Sequence, residues 1–313
     1  MLDRIDILLA TYNGEQYIHE QIQSIIMQKY TNWTLLISDD CSSDDTLNIL
    51  REYEKMDSRI HIVSHGIRYG SAQANFMNLL SATTAQYISF CDQDDVWDSD
   101  KLSKTIRAIK QHEALSMQPV LVYTDLCVVD QHMRTLSKSY YTYMNINPHR
   151  TAISQLLVQN VVTGCTMMIN GLLRDLAIKS TLIDQSRIVM HDWWLALLAS
   201  VYGELVYIDS PTVFYRQHGD NSVGATKYSV KNWVTKTSIN KNSILKSIKQ
   251  SNALLDCLKK DDDIPDRIYV SVYRYSNICK YIFFVRPIIL IEGDYLKSNI
   301  SRRIGQYFYI QLI

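Results

Sequence analysis

The chain has 313 residues in which 32 Lys and Arg balance 32 Asp and Glu, so net charge gives no sign of a polyanionic partner. The length holds one large or two modest domains with a sizeable core. Six cysteines with no CxxC pair and no regular spacing argue against a zinc site or a disulfide framework and for reduced thiols.

Charge is unevenly placed. Residues 1–215 carry 16 basic and 24 acidic side chains, whereas residues 216–313 carry 16 and 8, an acidic body followed by a basic tail that reads as two functional units. Asp3, Arg4 and Asp6 interrupt the apolar start, so no secretory leader is expected and the cytosol is the expected compartment. Without a run of about 18 apolar residues, no bilayer span is expected either.

Ile5 to Ala10 (IDILLA) is a short apolar run of the kind that forms a buried parallel strand. It stops at the turn Thr11-Tyr12-Asn13-Gly14, after which Ile18, Ile22, Ile25 and Ile26 recur at helical spacing. Thr34 to Ser38 repeats the pattern and runs into DDCSSDD before a helix with Leu47, Leu50 and Tyr53, for which Ser43 is a candidate N-cap. Ile60 to Val63 is a third strand, and Ser71 to Leu80 a helix leading into a fourth, Tyr87 to Cys91.

That fourth strand ends in Asp92, Asp94 and Asp95. Side chains two apart share a face of a strand, so Asp92 and Asp94 are expected to point the same way. Paired carboxylates suit Mg²⁺ or Mn²⁺. The same residues would equally serve to cap a strand and start a turn. Alternating strands and helices argue for an α/β fold with a mostly parallel sheet, whose ligands sit outside the carboxyl ends of the strands. Thr11 and Tyr12, Asp39 and Asp40, and Asp92 to Asp95 would then share one rim. No GxGxxG follows the first strand and no GxxxxGK[ST] occurs, which disfavours dinucleotide and P-loop chemistry.

TYNG, SDDCSSDDT and FCDQDDVWDSDKL, in that order, resemble the nucleotide-binding half of the family 2 glycosyltransferases, inverting enzymes with a GT-A fold. The resemblance spans about residues 1–220. It implies a nucleotide-sugar donor, with Ala10, Thr11 and Tyr12 lining the nucleoside and Asp40 hydrogen-bonding a pyrimidine ring. It also implies that Asp92 and Asp94 are the metal-binding pair, with Gln93 and Asp95 beside them on the donor. The segment Arg68 to Asn75 keeps the glycine and asparagine of the family's loop, so Asn75 joins the donor residues, but it lacks the arginine usual before that asparagine.

Val120 to Thr124 and Cys127 to Asp130 read as two strands, and Tyr140 to His149 as an aromatic, polar loop. Asn160 to Ile169 enters a strand through Gly164, where backbone approaches a ligand or simply packs; similar NxxTGCT stretches occur in rhamnosyltransferase members of the family. Asp192 precedes an apolar helix, Trp193 to Val201, as an N-cap would. In the family pattern it falls at the general base that accepts the proton of the attacking hydroxyl. An N-cap position would lower its pKa and burial beside Trp193 and Trp194 would raise it.

Val213 to Gly224 ends a strand in a polar loop. A solitary histidine reads as a surface residue, but YRQHGDN resembles a segment that closes over the donor in relatives. His218 is thereby a third metal ligand or a diphosphate contact, and Arg216 a phosphate contact. The expected division is a catalytic domain over 1–224 and a helical, basic and aromatic region over 225–313. Tyr281 to Ile291 is too short to span a bilayer, leaving two readings for this region: rest on the inner face of a membrane, or packing and homodimerisation. A basic tail without a recognition motif argues against nucleic acid. The expected partners are a nucleotide-sugar donor and a glycan or lipid-linked glycan acceptor, with dTDP-rhamnose favoured over a UDP-hexose.

Overall fold

The computed structural model describes residues 2–180, 184–219 and 237–313. Strands β1 (Ile5–Thr11), β2 (Trp33–Asp39), β3 (Ile60–Ser64) and β4 (Tyr87–Cys91) pair in the order β3-β2-β1-β4, all parallel. Helices α1 (Ile18–Ile26), α2 (Thr46–Met56) and α3 (Ala72–Ala82) make the crossovers. Residues Ile5 to Thr11 are all buried because helices cover both faces of a parallel sheet. Period-two alternation divides them: Ile5, Ile7 and Leu9 pack with α1 and α2, whereas Leu8 and Ala10 pack with Phe76, Leu79 and Leu80 of α3.

The second half is mixed. After β5 (Val96–Trp97) and α4 (Lys101–Glu113) comes β6 (Val120–Asp130), a single strand where two were expected. Its register with β9 (Glu204–Gln217) shifts twice between Thr124 and Cys127. At that irregularity the Asp125 carboxylate accepts from the N–H groups of Leu126 and Tyr140 at 2.8 and 3.0 Å. This polar, irregular centre is what makes one strand look like two in the sequence. After β7 (Thr135–Ser137), the expected loop at Tyr140 opens with a short helix, α5 (Tyr140–Met144), capped by Ser139.

Helix α6 (Ile153–Leu156) follows, and Gly164 starts a single 3₁₀ turn (Gly164–Thr166) ahead of β8 (Met168–Asn170), which runs antiparallel between β4 and β6. Helices α7 (Gly171–Ser180) and α8 (His191–Tyr202) cover the same face as α3. By register most of the nine-stranded sheet is parallel, with antiparallel pairings at β5, β7 and β8.

Four further helices, α9 (Thr237–Leu258), α10 (Asp266–Ser276), α11 (Arg286–Glu292) and α12 (Ile300–Ile310), complete that face. Ile244, Ile248, Leu255, Leu290 and Ile310 belong to the same apolar cluster as Trp194 and Leu198 of α8. The expected boundary at 224/225 lies in 220–236, outside the described residues, as does the Asp220 to Gly224 part of the expected polar loop.

Candidate active site

The carboxyl ends of β1, β2 and β4 border one cleft of about 880 Å³. Ala10, Thr11, Tyr12, Asp40, Asn75, Asp92, Gln93, Asp94, Asp192 and His218 all line it. Asp40, Asp94 and Asp192, widely separated in sequence, therefore open onto a common space. Asp95 and Arg216 do not.

The first two loops are knitted together by the side chains of the acidic motif. Thr11 Oγ1 donates to Asp39 Oδ1 at 3.0 Å, Asn13 N–H to Ser42 Oγ at 2.9 Å, Ser43 N–H to Asn13 Oδ1 at 2.8 Å, and Gly14 N–H to Thr46 Oγ1 at 2.8 Å. Asn13 and Cys41 take positive φ, at 48° and 62°, where the two loops leave their strands. Ser43, the expected N-cap of α2, serves this inter-loop contact instead; the N-cap residue is Asp45. Gln93 clasps the first loop to the β4 turn, accepting from Tyr12 N–H at 2.8 Å and donating to Tyr12 O at 3.0 Å.

Asp40 is held by its own wall: its carboxylate accepts from the N–H groups of Tyr69 and Gly70, the latter at 3.0 Å. Asn75 is buried and donates to Ser38 O at 3.0 Å, joining α3 to the end of β2.

The turn after β4 sorts its three carboxylates. Asp92 and Asp94 face the cleft, and Asp94 Oδ2 lies 2.9 Å from His218 Nε2. Asp95 is fully buried and accepts from Arg216 N–H at 3.1 Å. The expectation that Asp95 stands beside the donor is corrected: its role here is to anchor the end of β9 beneath the site.

Arg216 is corrected likewise. Only 2% exposed, it donates from Nε to Asp94 O at 2.9 Å and from Nη1 to Gln131 O at 3.1 Å, pairs with Glu20, and stacks over Tyr17. A guanidinium so engaged braces the turn after β4 from behind instead of meeting a phosphate.

Among the described residues, the three ligand-type side chains whose donor atoms lie within 4.8 Å of one another are Asp92, Asp95 and Cys165. Burial pushes the Cys165 thiol up, so it stays protonated as a hydrogen-bond donor to Asp95. That leaves Asp92, Asp94 and His218 as the donors facing the cleft. Their donor atoms do not gather into a group that tight, and what would favour a hard divalent cation is charge: burial and the charges of Asp94 and Asp192 push the Asp92 carboxyl up to about 7. Carboxylates crowded in this way lack a positive charge among them, and oxygen with one imidazole suits Mn²⁺ or Mg²⁺.

Asp192 sits in the first turn of α8, whose N-cap is Met190, so the N-cap expectation gives way to the second helical position. Its Oδ1 accepts from Trp193 N–H at 2.6 Å. Burial nevertheless dominates: it raises the Asp192 carboxyl to about 6 against the lowering by the Trp193 and Gly164 N–H groups. Burial thus outweighs the backbone N–H groups and leaves a carboxyl that titrates near neutrality.

Three features carried no sequence signal. His191 is buried between Phe76 and Phe90, with ring centroids 4.0 and 5.3 Å away, and burial lowers its pKa to about 3. Tyr17 packs its ring against His218, tilted by 38°, with centroids 4.7 Å apart. Lys101, fully buried below β4, donates to Ser89 Oγ at 3.2 Å, and burial brings its amine down to about 8. Each is set by packing partners distant in the chain.

The fold is the GT-A nucleotide-diphospho-sugar transferase fold. It superposes on Staphylococcus aureus TarS residues 1–349 in complex with UDP-GlcNAc at a TM-score of 0.55, with 14% identity, over 99% of this chain and 90% of that one. A Pyrobaculum calidifontis mannosyltransferase in complex with GDP-Man and Mn²⁺ gives 0.53, with 15% identity, over 94% and 74%. In sequence, the chain is 32% identical to the dTDP-rhamnosyl transferase RfbG of Shigella flexneri over 69% of its own length and 74% of that protein's. A shorter stretch, 33% of this chain and 39% of the relative, is 36% identical to the Escherichia coli UDP-Glc:alpha-D-GlcNAc-diphosphoundecaprenol beta-1,3-glucosyltransferase WfgD. Residues 6–177 match the family described as Glycosyl transferase family 2. The chain belongs to that family.

Proposed function

We propose that the protein is a metal-dependent inverting glycosyltransferase that moves rhamnose from dTDP-rhamnose to a hydroxyl of a cell-surface polysaccharide or lipid-linked glycan. The observation that carries this reading is the placement of Asp192, with its raised pKa, in the same cleft as Asp92, Asp94 and His218. Ala10, Thr11, Tyr12 and Asp40 form the nucleoside end, with Asn75 and Gln93 holding its walls. Asp92, Asp94 and His218 would hold Mn²⁺ or Mg²⁺, which supplies positive charge to the diphosphate leaving group.

Asp192 takes the proton of the acceptor hydroxyl as its oxygen bonds to the anomeric carbon and the bond to the nucleotide diphosphate breaks. One displacement inverts the configuration. The likeness to RfbG favours dTDP-rhamnose. The shorter match to the UDP-glucose-using WfgD supports a second reading, transfer from a UDP-hexose such as glucose, galactose or N-acetylhexosamine.

The test is release of free nucleotide diphosphate from dTDP-rhamnose and from UDP-hexoses, with Mn²⁺ or with chelator, with and without a lipid-linked glycan. Mn²⁺-dependent release from dTDP-rhamnose that rises with acceptor is expected. Release from a UDP-sugar alone would replace the donor assignment, and binding without release would make the protein a nucleotide-sugar binding module.

A further inference from the structure

The C-terminal helices carry an apolar surface that folding leaves uncovered. Four consecutive residues, Tyr281 to Phe284, are all exposed, Ile282, Phe283 and Phe284 at 56 to 60%. Runs of this kind on a water-facing surface mark an interaction site.

The run is held rigidly. Arg286, itself buried, donates to the carbonyl oxygens of Cys279 and Tyr281, each at 2.9 Å, and to Ile310 O at 3.0 Å. With the backbone fixed, these side chains stay in solvent, and the same guanidinium ties the run to the end of α12. Helix α11 buries Ile289 and Leu290 while leaving Ile288 and Ile291 exposed; Ile300 and Ile304, one turn apart on α12, are exposed as well.

Charge sits at the rim of the apolar surface. Of the five cations in Ile278 to Ile313, Lys280 is exposed and Lys297 and Arg303 are half-buried, whereas Arg286 and Arg302 are buried; the segment has two acidic side chains. Both carboxylates are paired, Glu292 with Arg274 at 3.0 Å and Asp294 with Arg150 at 3.7 Å. An apolar face rimmed by Lys280 and Arg303, with the neighbouring carboxylates already paired, matches an anionic lipid surface. Among the described residues no helix is long and apolar enough to cross a membrane.

The surface also adjoins the cleft. Arg302 donates to Met144 O at 3.1 Å and Asn299 Nδ2 to Asn145 O at 3.2 Å, bracing α12 against the α5 segment whose Tyr140 and following Ile146 line the cleft.

We propose that Tyr281 to Phe284, with the outer faces of α11 and α12, dock the enzyme on an anionic membrane and insert Phe283 and Phe284 among the acyl chains, placing the cleft beside a lipid-linked acceptor. The acceptor's identity rests on the functional reading above; the docking test does not require turnover.

The full-length protein is sedimented with phosphatidylcholine vesicles with and without phosphatidylglycerol, alongside Phe283→Ser/Phe284→Ser and Ile300→Ser/Ile304→Ser, with melting temperature and soluble donor cleavage measured in parallel. The wild type is expected to pellet with the phosphatidylglycerol vesicles, and each double variant to lose about tenfold in partitioning with its melting temperature unchanged. Wild type left in the supernatant with both vesicle types would overturn the proposal, as would undiminished binding by the folded variants. So would a lipid-free wild-type dimer that the substitutions dissociate, since the surface would then serve a second copy of the chain. Vesicle binding without donor cleavage would leave the docking intact and remove the enzymatic reading instead.

Discussion

Asp94 Oδ2 and His218 Nε2 stand 2.9 Å apart although 124 positions separate them in the chain. The contact joins the turn after β4 to the end of β9, and the Tyr17 ring packs against the imidazole from the first loop. Three segments thus meet at one donor pair. Asp94→Ala and His218→Ala are each expected to abolish the Mn²⁺-dependent rise in melting temperature. In the wild type that rise corresponds to about 2.7 kcal/mol at a hundredfold excess over Kd. A shift retained in Asp94→Ala would place the metal elsewhere.

Asp192→Asn keeps the shape of the site and removes the proton acceptor. Transfer to acceptor should fall by about 10² to 10⁴ while binding of the nucleotide diphosphate persists. In the wild type, kcat/KM should climb with pH through about 6, where burial has placed the Asp192 carboxyl, and the variant should lose that limb. An unchanged profile in the variant would assign the limb to another group.

Stability without metal should depend on pH in a direction set by the same carboxyls. Asp92 and Asp192 have folded pKa values of about 7 and about 6, above their model-peptide value of 3.8, so the folded state binds more protons than the unfolded one between those limits. Stability therefore falls as pH rises through that window. His191, lowered to about 3 from 6.5, acts in the opposite sense below 6.5, and Lys101, lowered to about 8 from 10.5, does so above about 7. The melting temperature of the metal-free protein should accordingly rise as pH drops from about 7 to 6.5, and Asp92→Asn should flatten the rise. A melting temperature that drops over this interval contradicts the account.

Gly14 is required by the clasp. A Cβ there would stand 2.6 Å from Gln93 Oε1, and the amide is pinned to Tyr12 by two hydrogen bonds. Gly14→Ala should cost about 1–2 kcal/mol in the wild type and little in a Gln93→Ala background, a coupling of about 1 kcal/mol in a double-mutant cycle read by denaturant unfolding. Additive costs would mean the glycine acts independently of Gln93.

Gly164→Ala is expected to be the harsher substitution. Its Cβ would lie 2.9 Å from His191 Nε2, and that ring is sandwiched between Phe76 and Phe90. Overpacking of this kind costs about 1–3 kcal/mol. Because the Gly164 N–H also faces Asp192, kcat should fall with the melting temperature. Full activity at reduced stability would separate the two roles.

Much of the fold is legible in local pattern. The apolar runs at Ile5, Thr34, Ile60 and Tyr87 are each within a residue or so of β1 to β4, because a strand buried on both faces needs no partner-specific signal. The expected break in β6 and the expected Ser43 cap differ from the structure for a common reason: Asp125 and Ser43 are polar residues that ordinarily end elements, and here they bond across to other segments.

The chain's own residue order determined that polar and acidic groups would gather along one rim, since parallel strands connected by helices leave all their carboxyl ends on the same side. Which of those groups face the cleft was a tertiary matter. Asp94 and Asp95 are neighbours, and nothing local separates a carboxylate that faces the cleft from one that is fully buried. The N–H of Arg216, 121 positions away, draws Asp95 inward. The guanidinium of that residue is absorbed by Glu20, Gln131 and the Asp94 carbonyl. A buried charge settles where its partners are, and partners so remote in sequence are specified only once the strands have paired.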